Sequence, residues 1–368
     1  MASVQAREHS DGTTTWRVRW RQDGRDRSLT FVDAVSAESF KRNVDLYGPA
    51  EAFRIIDLID DGLAQITLAQ WCTGHIDTLT GVEDGTRDRY RAYVTNDIAD
   101  LGAMPLAAVT DTVVARWVNG LAGSGKTIAN KHGFLAGALN HAVRAGKITK
   151  NPCDHTRLPR KDGNEMCFLT RSEFDLLHDA MTPRWQPLTR WLVATGMRFG
   201  EATALTVADI NAADGTARVS KAWKYTGSHV DRRLGTTKTK KGQRTINVPA
   251  SVIALVDLDR PGEALAFPTR TGGPVSHQLY RNRAWLPALT KASAAREDGD
   301  QTPRLTKTPR VHDLRHTCAS WMIQAGIPLP VIQQHLGHES ITTTIGTYGH
   351  LDRTSAKAAA DAIGKILA

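Results

Sequence analysis

Apolar and polar residues alternate one by one near the start of the chain. The apolar positions are Trp16, Val18 and Trp20, and the positions between and after them are three arginines: Arg17, Arg19 and Arg21. A period of two predicts a β-strand with one apolar face and one basic face. Asp23-Gly24 follows as a hairpin turn, which predicts a partner strand over Arg25–Phe31.

A helix is expected after this hairpin, over Asp33–Tyr47, with Gly48-Pro49 as its end. These elements form a small domain at residues 1–62 with a net charge of −2. Arginines that stand off a small sheet can enter a DNA groove, as they do in proteins that insert strands there. Because the acids lie mainly in the helix and tail, a contact of this kind must come from the arginine face of the sheet. The alternative interpretation is a structural appendage with a solvated arginine face.

Residues 63–152 change to a period of three to four, which predicts helices packed into an all-α domain. We expect four helices: Ile66–Leu79, Thr86–Leu101, Thr110–Leu121 with Thr110 as its N-cap, and a fourth through Ile128 that ends at Gly146. Two basic residues of this domain are candidate contacts to DNA phosphates, Lys126 and Lys131.

The segment Gly120–Thr127, G-L-A-G-S-G-K-T, matches the phosphate-loop pattern G-x-x-x-x-G-K-[ST] letter for letter. That motif binds nucleotide phosphates when a buried strand precedes it and a helix follows it. Here the preceding segment has the period of an amphipathic helix, and no apolar strand ending in an acid supplies a magnesium ligand. The sequence therefore favours an interhelical loop over an ATP site.

The last part of the chain, residues 165–368, follows a proline-containing linker and mixes helices with short strands. Its expected helices are Thr170–Met181 with a capping box, about Arg184–Thr195 ended by Gly196, Ser276–Ala294 and an amphipathic Asp352–Ala368. Its expected strands are Thr216–Trp223 and Arg244–Val248. The predicted fold class is mainly α with small β-sheets, an α+β protein.

Positive charge increases along the chain. The net charge is +3 over residues 63–160 and +8 over residues 161–368, and the total is +9. Within Arg218–Arg244 there are nine basic residues against one acid. A run of charge is often only a solvated face, but beside a site for phosphate chemistry it indicates a nucleic-acid surface.

Neither a long apolar run nor the apolar segment of a signal peptide is present, so we expect a cytoplasmic protein with no membrane partner. The cysteines stand far apart without disulfide or metal spacing, which favours reduced thiols. They are Cys72, Cys153, Cys167 and Cys318.

The densest group of reactive side chains lies in residues 310–350. His312 and Arg315 are three apart at the start of a predicted helix and therefore share a face, and His338 and Tyr348 follow ten residues apart. Helix signals predict tight turns between short helices here: an end at Gly326, a start at Pro328 and an end at Gly337.

These residue types together are suited to cleaving a phosphodiester. A tyrosine hydroxyl can attack a phosphodiester if the phosphate charge is neutralised, arginine grips two phosphate oxygens, and histidine can transfer the proton. One arginine is too few, so a second is expected elsewhere. Arg198 fits, because glycines flank its turn and Glu201, one helical turn further on, can orient it. Lys238 and Lys240 are two residues apart and therefore share one face of a predicted strand. Such a lysine can protonate a leaving oxygen, and Lys240 is also a candidate contact to DNA.

His312 and His316 are also four apart, the spacing of a zinc-binding pair on a helix. The glutamate of the metalloprotease arrangement and an evident third ligand are both missing from the sequence around them. We therefore expect no metal.

Five motifs, in this order, resemble those of the tyrosine recombinases, and within them those of the phage-type integrases. They are A-T-G-M-R-F-G-E-A, T-K-T-K-K-G-Q-R-T-I, H-D-L-R-H-T, L-G-H and T-Y-G-H, spanning Ala194–His350. The helical domain resembles the core-DNA-binding domain of that family, and the first domain resembles its arm-DNA-binding domain. The resemblance implies an arm-binding domain at 1–62, a core-binding domain at 63–152 and a catalytic domain at 165–368.

The resemblance also implies a role for each residue. Arg198 and Arg315 hold the scissile phosphate, Lys238 (or Lys240, if the hairpin register differs by two) is the general acid, His312 assists proton transfer and His338 hydrogen-bonds the phosphate. Tyr348 forms a 3′-phosphotyrosyl link. No cofactor is implied, since the covalent link conserves the bond energy.

The partners that the resemblance implies are double-stranded DNA at core and arm sites, and three further copies of the chain in a homotetramer. A host DNA-bending protein, an excision factor and an association with the nucleoid of a bacterial host are expected as well. Two alternatives remain: a type IB topoisomerase, which a supercoil-relaxation assay distinguishes, and a DNA-binding regulator that has kept the fold, which forms no covalent adduct with DNA.

Overall fold

The structure is a computed structural model of the chain, and it describes residues 1–60, 66–160, 166–225, 232–236, 242–294, 304–342 and 345. The chain divides into two compact units, Met1–Asn164 and Glu165–Ala368. Within the described ranges, no helix combines the length and the apolar character that crossing a membrane requires. The prediction of a mainly α protein with small β-sheets is confirmed.

Unit 1 begins with a three-stranded antiparallel sheet rather than a two-stranded hairpin. Strands β2 (Thr14–Gln22) and β3 (Arg25–Phe31) form the predicted hairpin, and β1 (Ser3–Glu8) pairs with the free edge of β2. Residues 2–7 do alternate, since Ala2, Val4 and Ala6 are apolar and the residues between them are polar, and Asp11-Gly12 follows as a turn signal. This short alternation of mostly small apolar residues was overlooked in the sequence.

The two faces of this sheet differ as predicted. Val18 and Trp20 are buried, and the Trp20 ring packs edge-to-face on Phe40 of helix α1 (Ala34–Tyr47), with ring centroids 5.5 Å apart. The predicted end of α1 at Gly48 is confirmed, but a second helix, α2 (Pro49–Asp60), begins directly after it. Proline at the first helical position is favourable because its missing N–H has no partner there, so Gly48-Pro49 separates two helices.

The remainder of unit 1 is helical. Its helices are α3 (Leu68–Thr78), α4 (Asp84–Ala92), α5 (Ala99–Gly102), α6 (Asp111–Gly120) and α7 (Gly125–Arg144). The prediction of a single helix over Thr86–Leu101 is wrong, because a π-helical turn at Tyr93–Asp97 separates α4 from α5. There the Ile98 N–H donates to the Tyr93 carbonyl at 2.9 Å, five residues earlier, and the main-chain oxygen of Asp97 accepts a hydrogen bond from the Trp117 indole, 2.6 Å away.

The phosphate-loop match lies between α6 and α7, which confirms the prediction of an interhelical loop. Ser124 caps α7 by accepting a hydrogen bond from the Thr127 N–H. The glycine before the lysine has a structural reason: a Cβ on Gly125 would overlap the main-chain carbonyl of Arg160. Close packing of two backbones thus explains this glycine without a nucleotide.

Unit 2 packs helices around a core of large aromatic side chains, among them the fully buried Trp191, Trp285 and Tyr280. Its first helices are α8 (Arg171–Ala180), α9 (Gln186–Thr195) and α10 (Phe199–Ala202). The predicted capping box of Thr170 and Glu173 is confirmed at the start of α8, and Gly196 ends α9 in the left-handed conformation.

Two small sheets follow in the described part of unit 2. One contains β4 (Ile210–Asn211), β5 (Thr216–Val219) and β8 (Arg244–Asn247), and the other contains β6 (Lys221–Tyr225) and β7 (Arg232–Thr236). The expected strand Thr216–Trp223 is therefore divided between two sheets. Lys221, at the start of β6, donates to buried Asp209 at 2.8 Å, and the Trp223 indole donates to the Thr203 carbonyl at 2.9 Å, so β6 packs beside α10 and leaves the sheet of β5.

The later described helices of unit 2 are α11 (Ala250–Ile253), α12 (His277–Tyr280), α13 (Leu286–Ser293), α14 (Asp313–Gln324) and α15 (Leu329–Leu336). Of these, α14 and α15 carry part of the candidate site. The predicted helix over Ser276–Ala294 contains a π-helical turn at Arg281–Trp285 between α12 and α13. The predicted helix at 352–368 lies outside the described residues.

Replacing Gly125 by alanine is expected to lower the free energy of unfolding by about 1–3 kcal/mol, because the added methyl overlaps the Arg160 carbonyl and the backbone must move. Gly137 on the same helix is the matched control, since a Cβ there meets nothing within 4 Å. Gly137→Ala should raise stability by about 0.5–1 kcal/mol. Urea unfolding of both variants measures the contrast, and equal effects would contradict the packing account.

Candidate active site

Arg198 stands directly before helix α10, on the turn that Gly196 begins. Its main-chain N–H donates to Glu201 Oε2 at 3.1 Å, and its Nη1 donates to Glu201 Oε1 at 2.7 Å. The prediction that Glu201 orients Arg198 is therefore confirmed. The Arg198 side chain remains 44% exposed, so its guanidinium is both fixed by a carboxylate and accessible to a ligand.

The Glu201 carboxylate is shared between two arginines. Its side chain is 2% exposed, and Oε2 also accepts a hydrogen bond at 3.1 Å from Nη2 of Arg244, whose side chain is 5% exposed. Burial alone would raise the pKa of Glu201, but the charges and hydrogen bonds of Arg244 and Arg198 hold it below its ordinary value. The carboxylate is therefore ionised at neutral pH, as two neighbouring cations require.

Arg315 lies in the first turn of α14 and is buried, with 3% exposure. Its Nη1 donates to the carbonyl of Gly196 at 2.7 Å. Because Gly196 is two residues before Arg198, this bond joins the start of α14 to the turn that carries the other arginine. The two candidate phosphate-binding arginines, far apart in sequence, are thus brought to the same turn.

The beginning of α14 is itself fixed by an ion pair. Asp313 is buried, and its carboxylate accepts hydrogen bonds from the main chain and guanidinium of Arg310, at 2.7–3.1 Å. His312 stands between these residues, as the residue that precedes α14, and its ring packs edge-to-face on His316 with centroids 5.0 Å apart.

Both candidate histidines are held neutral. Partial burial, and then the neighbouring His316 and Arg315, lower the pKa of His312 to about 4, although this residue is exposed to solvent. Burial, and then the charges of Arg315, Arg198 and Arg244, lower the pKa of His338 to about 4. His338 thus lies within electrostatic reach of the arginines, and both imidazoles can accept or donate a hydrogen bond at neutral pH without a net charge.

His338 is delivered by the turn that ends α15. Gly337 adopts the left-handed conformation (φ +69°), and the His338 N–H donates to the Gln333 carbonyl at 3.1 Å. The predicted helix end at Gly337 is confirmed. A Cβ on Gly337 would lie 2.9 Å from Nη1 of Arg244, so glycine is required both by the conformation and by the neighbouring arginine.

The structure thus gathers Arg198, Arg315, His312 and His338 in unit 2. Lys238, Lys240 and Tyr348 lie outside the described residues. Lys126 is exposed near the start of α7. By contrast, the ammonium group of Lys131 pairs with Asp97 at 2.6 Å and its side chain is only 12% exposed, so it does not present a free positive charge.

The three arginines of the sheet in unit 1 are exposed on one face of β2. Their partners across the neighbouring strands are polar, among them Gln5, Ser28 and Thr30. Arg21 stands opposite an acid, Asp26. This face therefore differs from the buried face of Val18 and Trp20, and it presents three guanidinium groups among polar side chains and one carboxylate.

Sequence reasoning missed Arg244 as a residue of the site. A signal was present, because Arg244, Ile246 and Val248 share the period of two that places them on one face of the predicted strand. Ile246 and Val248 are buried, and the Arg244 side chain lies on the same face and is buried as well. A charged residue at an inward-facing position of a strand indicates a buried partner, which here is Glu201.

Replacing Glu201 by glutamine should destabilise the protein by about 3 kcal/mol at pH 7, because two arginines lose a buried counter-charge. The pKa of Glu201 is below its ordinary value of 4.5, so its stabilising effect is complete above that pH and is lost as the pH falls below it. The difference between wild type and Glu201→Gln should therefore shrink in acid. Urea unfolding at several pH values, with exposed Glu263→Gln as control, tests this, and a pH-independent difference would contradict it.

Comparisons with known proteins identify the family of this chain. Residues 168–355 match the Phage integrase family. The putative prophage phiRv2 integrase of Mycobacterium tuberculosis is 28% identical over 273 residues, which cover 71% of this chain and 68% of that protein.

Solved structures show the same fold. The Tn1549 transposon integrase, in complex with a circular intermediate DNA, superposes with a TM-score of 0.69 at 23% identity, covering 81% of this chain and 100% of that one. A lambda integrase tetramer bound to a Holliday junction gives a TM-score of 0.58 at 20% identity, covering 92% of this chain and 96% of that one. The family match spans half of the sequence and includes every candidate catalytic residue. The chain belongs to the phage integrase family, the tyrosine recombinases, and its activity is site-specific recombination.

Proposed function

We propose that this chain integrates or excises a mobile element by cleaving and rejoining DNA through a 3′-phosphotyrosine intermediate at Tyr348. The observation that carries the proposal is the convergence of Arg198 and Arg315 on one turn: Arg315 donates to Gly196 at 2.7 Å, and Arg198 follows two residues later. A phosphodiester resists attack because its oxygens carry negative charge, and two fixed guanidinium groups can neutralise that charge as the transition state forms.

In the proposed reaction, the Tyr348 hydroxyl oxygen attacks phosphorus and the bond from phosphorus to the 5′ oxygen breaks. The tyrosine proton passes to a neutral acceptor, and His312, with its pKa lowered to about 4, has that form at neutral pH. Lys238, or Lys240, gives a proton to the departing 5′ oxygen. The protein remains joined to the 3′ phosphate, and attack by another 5′ hydroxyl reverses these steps.

His338 has a different role in this scheme. A neutral imidazole donates one hydrogen bond, and His338 is neutral at the pH at which the reaction occurs. We assign it a hydrogen bond to a non-bridging phosphate oxygen. The negative charge of bound phosphate would raise the pKa of this histidine toward its ordinary value.

The reaction is proposed to need no metal. The charge that a divalent cation neutralises in other phosphate-transfer enzymes is assigned here to Arg198, Arg315 and the lysine. Since the phosphotyrosyl bond keeps the energy of the broken phosphodiester, no nucleotide cofactor is required for rejoining.

Double-stranded DNA is the proposed partner. Residues 1–62 would contact arm sites through Arg17, Arg19 and Arg21, which are exposed side by side on one strand, and residues 63–152 would contact the core site through Lys126. We leave Lys131 out, because Asp97 already neutralises it. The catalytic domain, residues 165–368, would hold the scissile phosphate.

The assembly is proposed to be a homotetramer on two synapsed duplexes, in keeping with the tetrameric lambda integrase that shares its fold. A host DNA-bending protein and an excision factor would control the direction of the reaction. The protein would act in the cytoplasm of a bacterial host, associated with the nucleoid.

Tyr348→Phe should abolish the covalent adduct with DNA while leaving DNA affinity within about threefold, because only the nucleophilic oxygen is removed. The probe is a nicked duplex spanning the junction of the mobile element and the chromosome, which traps the adduct when the short cleaved strand diffuses away. Denaturing gels measure the adduct, and mobility shifts measure the affinity. An adduct of undiminished yield in the variant would assign the nucleophile to another residue.

Chelation provides an independent test of the metal-free scheme. Cleavage of the same nicked duplex should proceed at an unchanged rate after dialysis against EDTA, since arginine and lysine carry the charge that a metal would neutralise. A loss of more than about tenfold in rate, restored by added magnesium, would contradict this part of the proposal.

A further inference from the structure

Arg244 is a buried arginine whose guanidinium group joins three separate parts of the catalytic unit. Its Nη2 donates to Glu201 at 3.1 Å, its Nε donates to the His335 carbonyl at 2.7 Å, and its Nη1 donates to the Gly242 carbonyl at 3.0 Å. With 5% exposure the side chain is almost completely shielded from solvent. Its donors are directed at the protein itself.

The first partner determines how Arg198 is held. Glu201 uses Oε1 for Arg198 Nη1 and Oε2 for both the Arg198 N–H and Arg244. With Arg244 present, two cations neutralise the charge of the buried carboxylate. Without Arg244, Arg198 would be the only one of these two arginines left to pair with the buried carboxylate. The stronger attraction would draw its guanidinium inward, away from the position in which it can bind a phosphate.

The second partner determines where His338 lies. The carbonyl of His335 is in the last turn of α15, and the chain turns at Gly337 to reach His338. The Gly337 backbone packs on the Arg244 side chain, since an added Cβ would lie 2.9 Å from Nη1 and 3.1 Å from Cδ. Arg244 therefore supports this turn both by a hydrogen bond and by direct contact.

The third partner is close in sequence to the candidate lysines. Gly242 follows Lys240 with a single residue between them, and β8 begins two residues later with Arg244 itself. The same guanidinium that is bonded to Glu201 and to α15 thus also holds the main chain at the end of the segment that contains Lys238 and Lys240.

We propose that Arg244 is a positioning residue for DNA cleavage, which sets the phosphate-binding geometry of Arg198 through Glu201 and supports the turn that carries His338. This inference rests on the proposed function, because it assigns Arg244 to the cleavage step. Arginine is required, since a planar guanidinium reaches three acceptors in different directions, whereas the single ammonium of lysine retains the charge and cannot span them.

The test is Arg244→Lys in the full-length chain, on the nicked junction duplex. Single-turnover cleavage should slow by about 100-fold, the effect of misplacing a catalytic group by about 1 Å, while DNA affinity changes by less than about threefold. Arg260→Lys is the matched control: Arg260 also donates through Nε, Nη1 and Nη2 to main-chain carbonyls, of Asp257, Leu265 and Ala266, none of which belongs to the site. It should cleave at the wild-type rate.

A substrate change separates positioning from general destabilisation. A methylphosphonate at the scissile position lacks the charged oxygen that Arg198 neutralises, so Arg198→Ala should lose much less rate on it than on phosphate. Arg244→Lys, if it acts through Arg198, should recover in the same way. Recovery of Arg198→Ala without recovery of Arg244→Lys would overturn the inference, and failure of both to recover would overturn it together with the phosphate role of Arg198.

The remaining outcomes are equally decisive. Cleavage by Arg244→Lys at the wild-type rate, or an equal loss in Arg244→Lys and Arg260→Lys, would overturn the inference. Should Arg244→Lys fail to fold, Gly337→Ala disturbs the same contact without altering Arg244, and wild-type cleavage by that variant would contradict the proposed support of the turn. The absence of any adduct with wild-type protein would instead refute the proposed function.

Discussion

Glu201 carries a buried negative charge that two guanidinium groups neutralise from different sides. One of them, Arg198, keeps nearly half of its side chain exposed, and the other, Arg244, is buried. An ionised carboxylate out of contact with water is costly unless it is paired and hydrogen-bonded, so the positions of both arginines depend on it. The turn before α10, the start of β8 and the end of α15 meet at this group, because each supplies either one of these arginines or an acceptor for them.

The same concentration of positive charge explains the state of the histidines. Arg315, Arg198 and Arg244 lower the pKa of His338, after burial has already done so, and His312 is neutral for a related reason. A phosphodiester would enter a site with fixed cations and neutral hydrogen-bonding groups. Little reorganisation of the protein would then accompany the formation of charge in the transition state, which is how preorganised sites lower a barrier.

Much of this arrangement could be predicted from the sequence, because local signals determine it. The caps at Gly196 and Gly337 and the pair formed by Arg198 and Glu201 depend on residues within one helical turn. Strand β1 was not predicted because its alternation of Ala2, Val4 and Ala6 with polar residues is short and its apolar residues are mostly small, although it pairs with the next strand along the chain. The role of Arg244 was not predicted because two of its three partners, Glu201 and His335, are 43 and 91 residues away and only the folded chain brings them together.

The central claim is that the cations gathered around Glu201 prepare a phosphate for attack by a tyrosine. It is tested most directly by identifying the residue of the wild-type protein that becomes linked to DNA. After trapping on a nicked junction duplex in the presence of a chelator, nuclease and protease digestion followed by mass spectrometry should locate the nucleotide on the peptide that contains Tyr348, at its phenolic oxygen. A nucleotide attached to any other residue, or no covalent product on a duplex that the protein binds, would contradict the account.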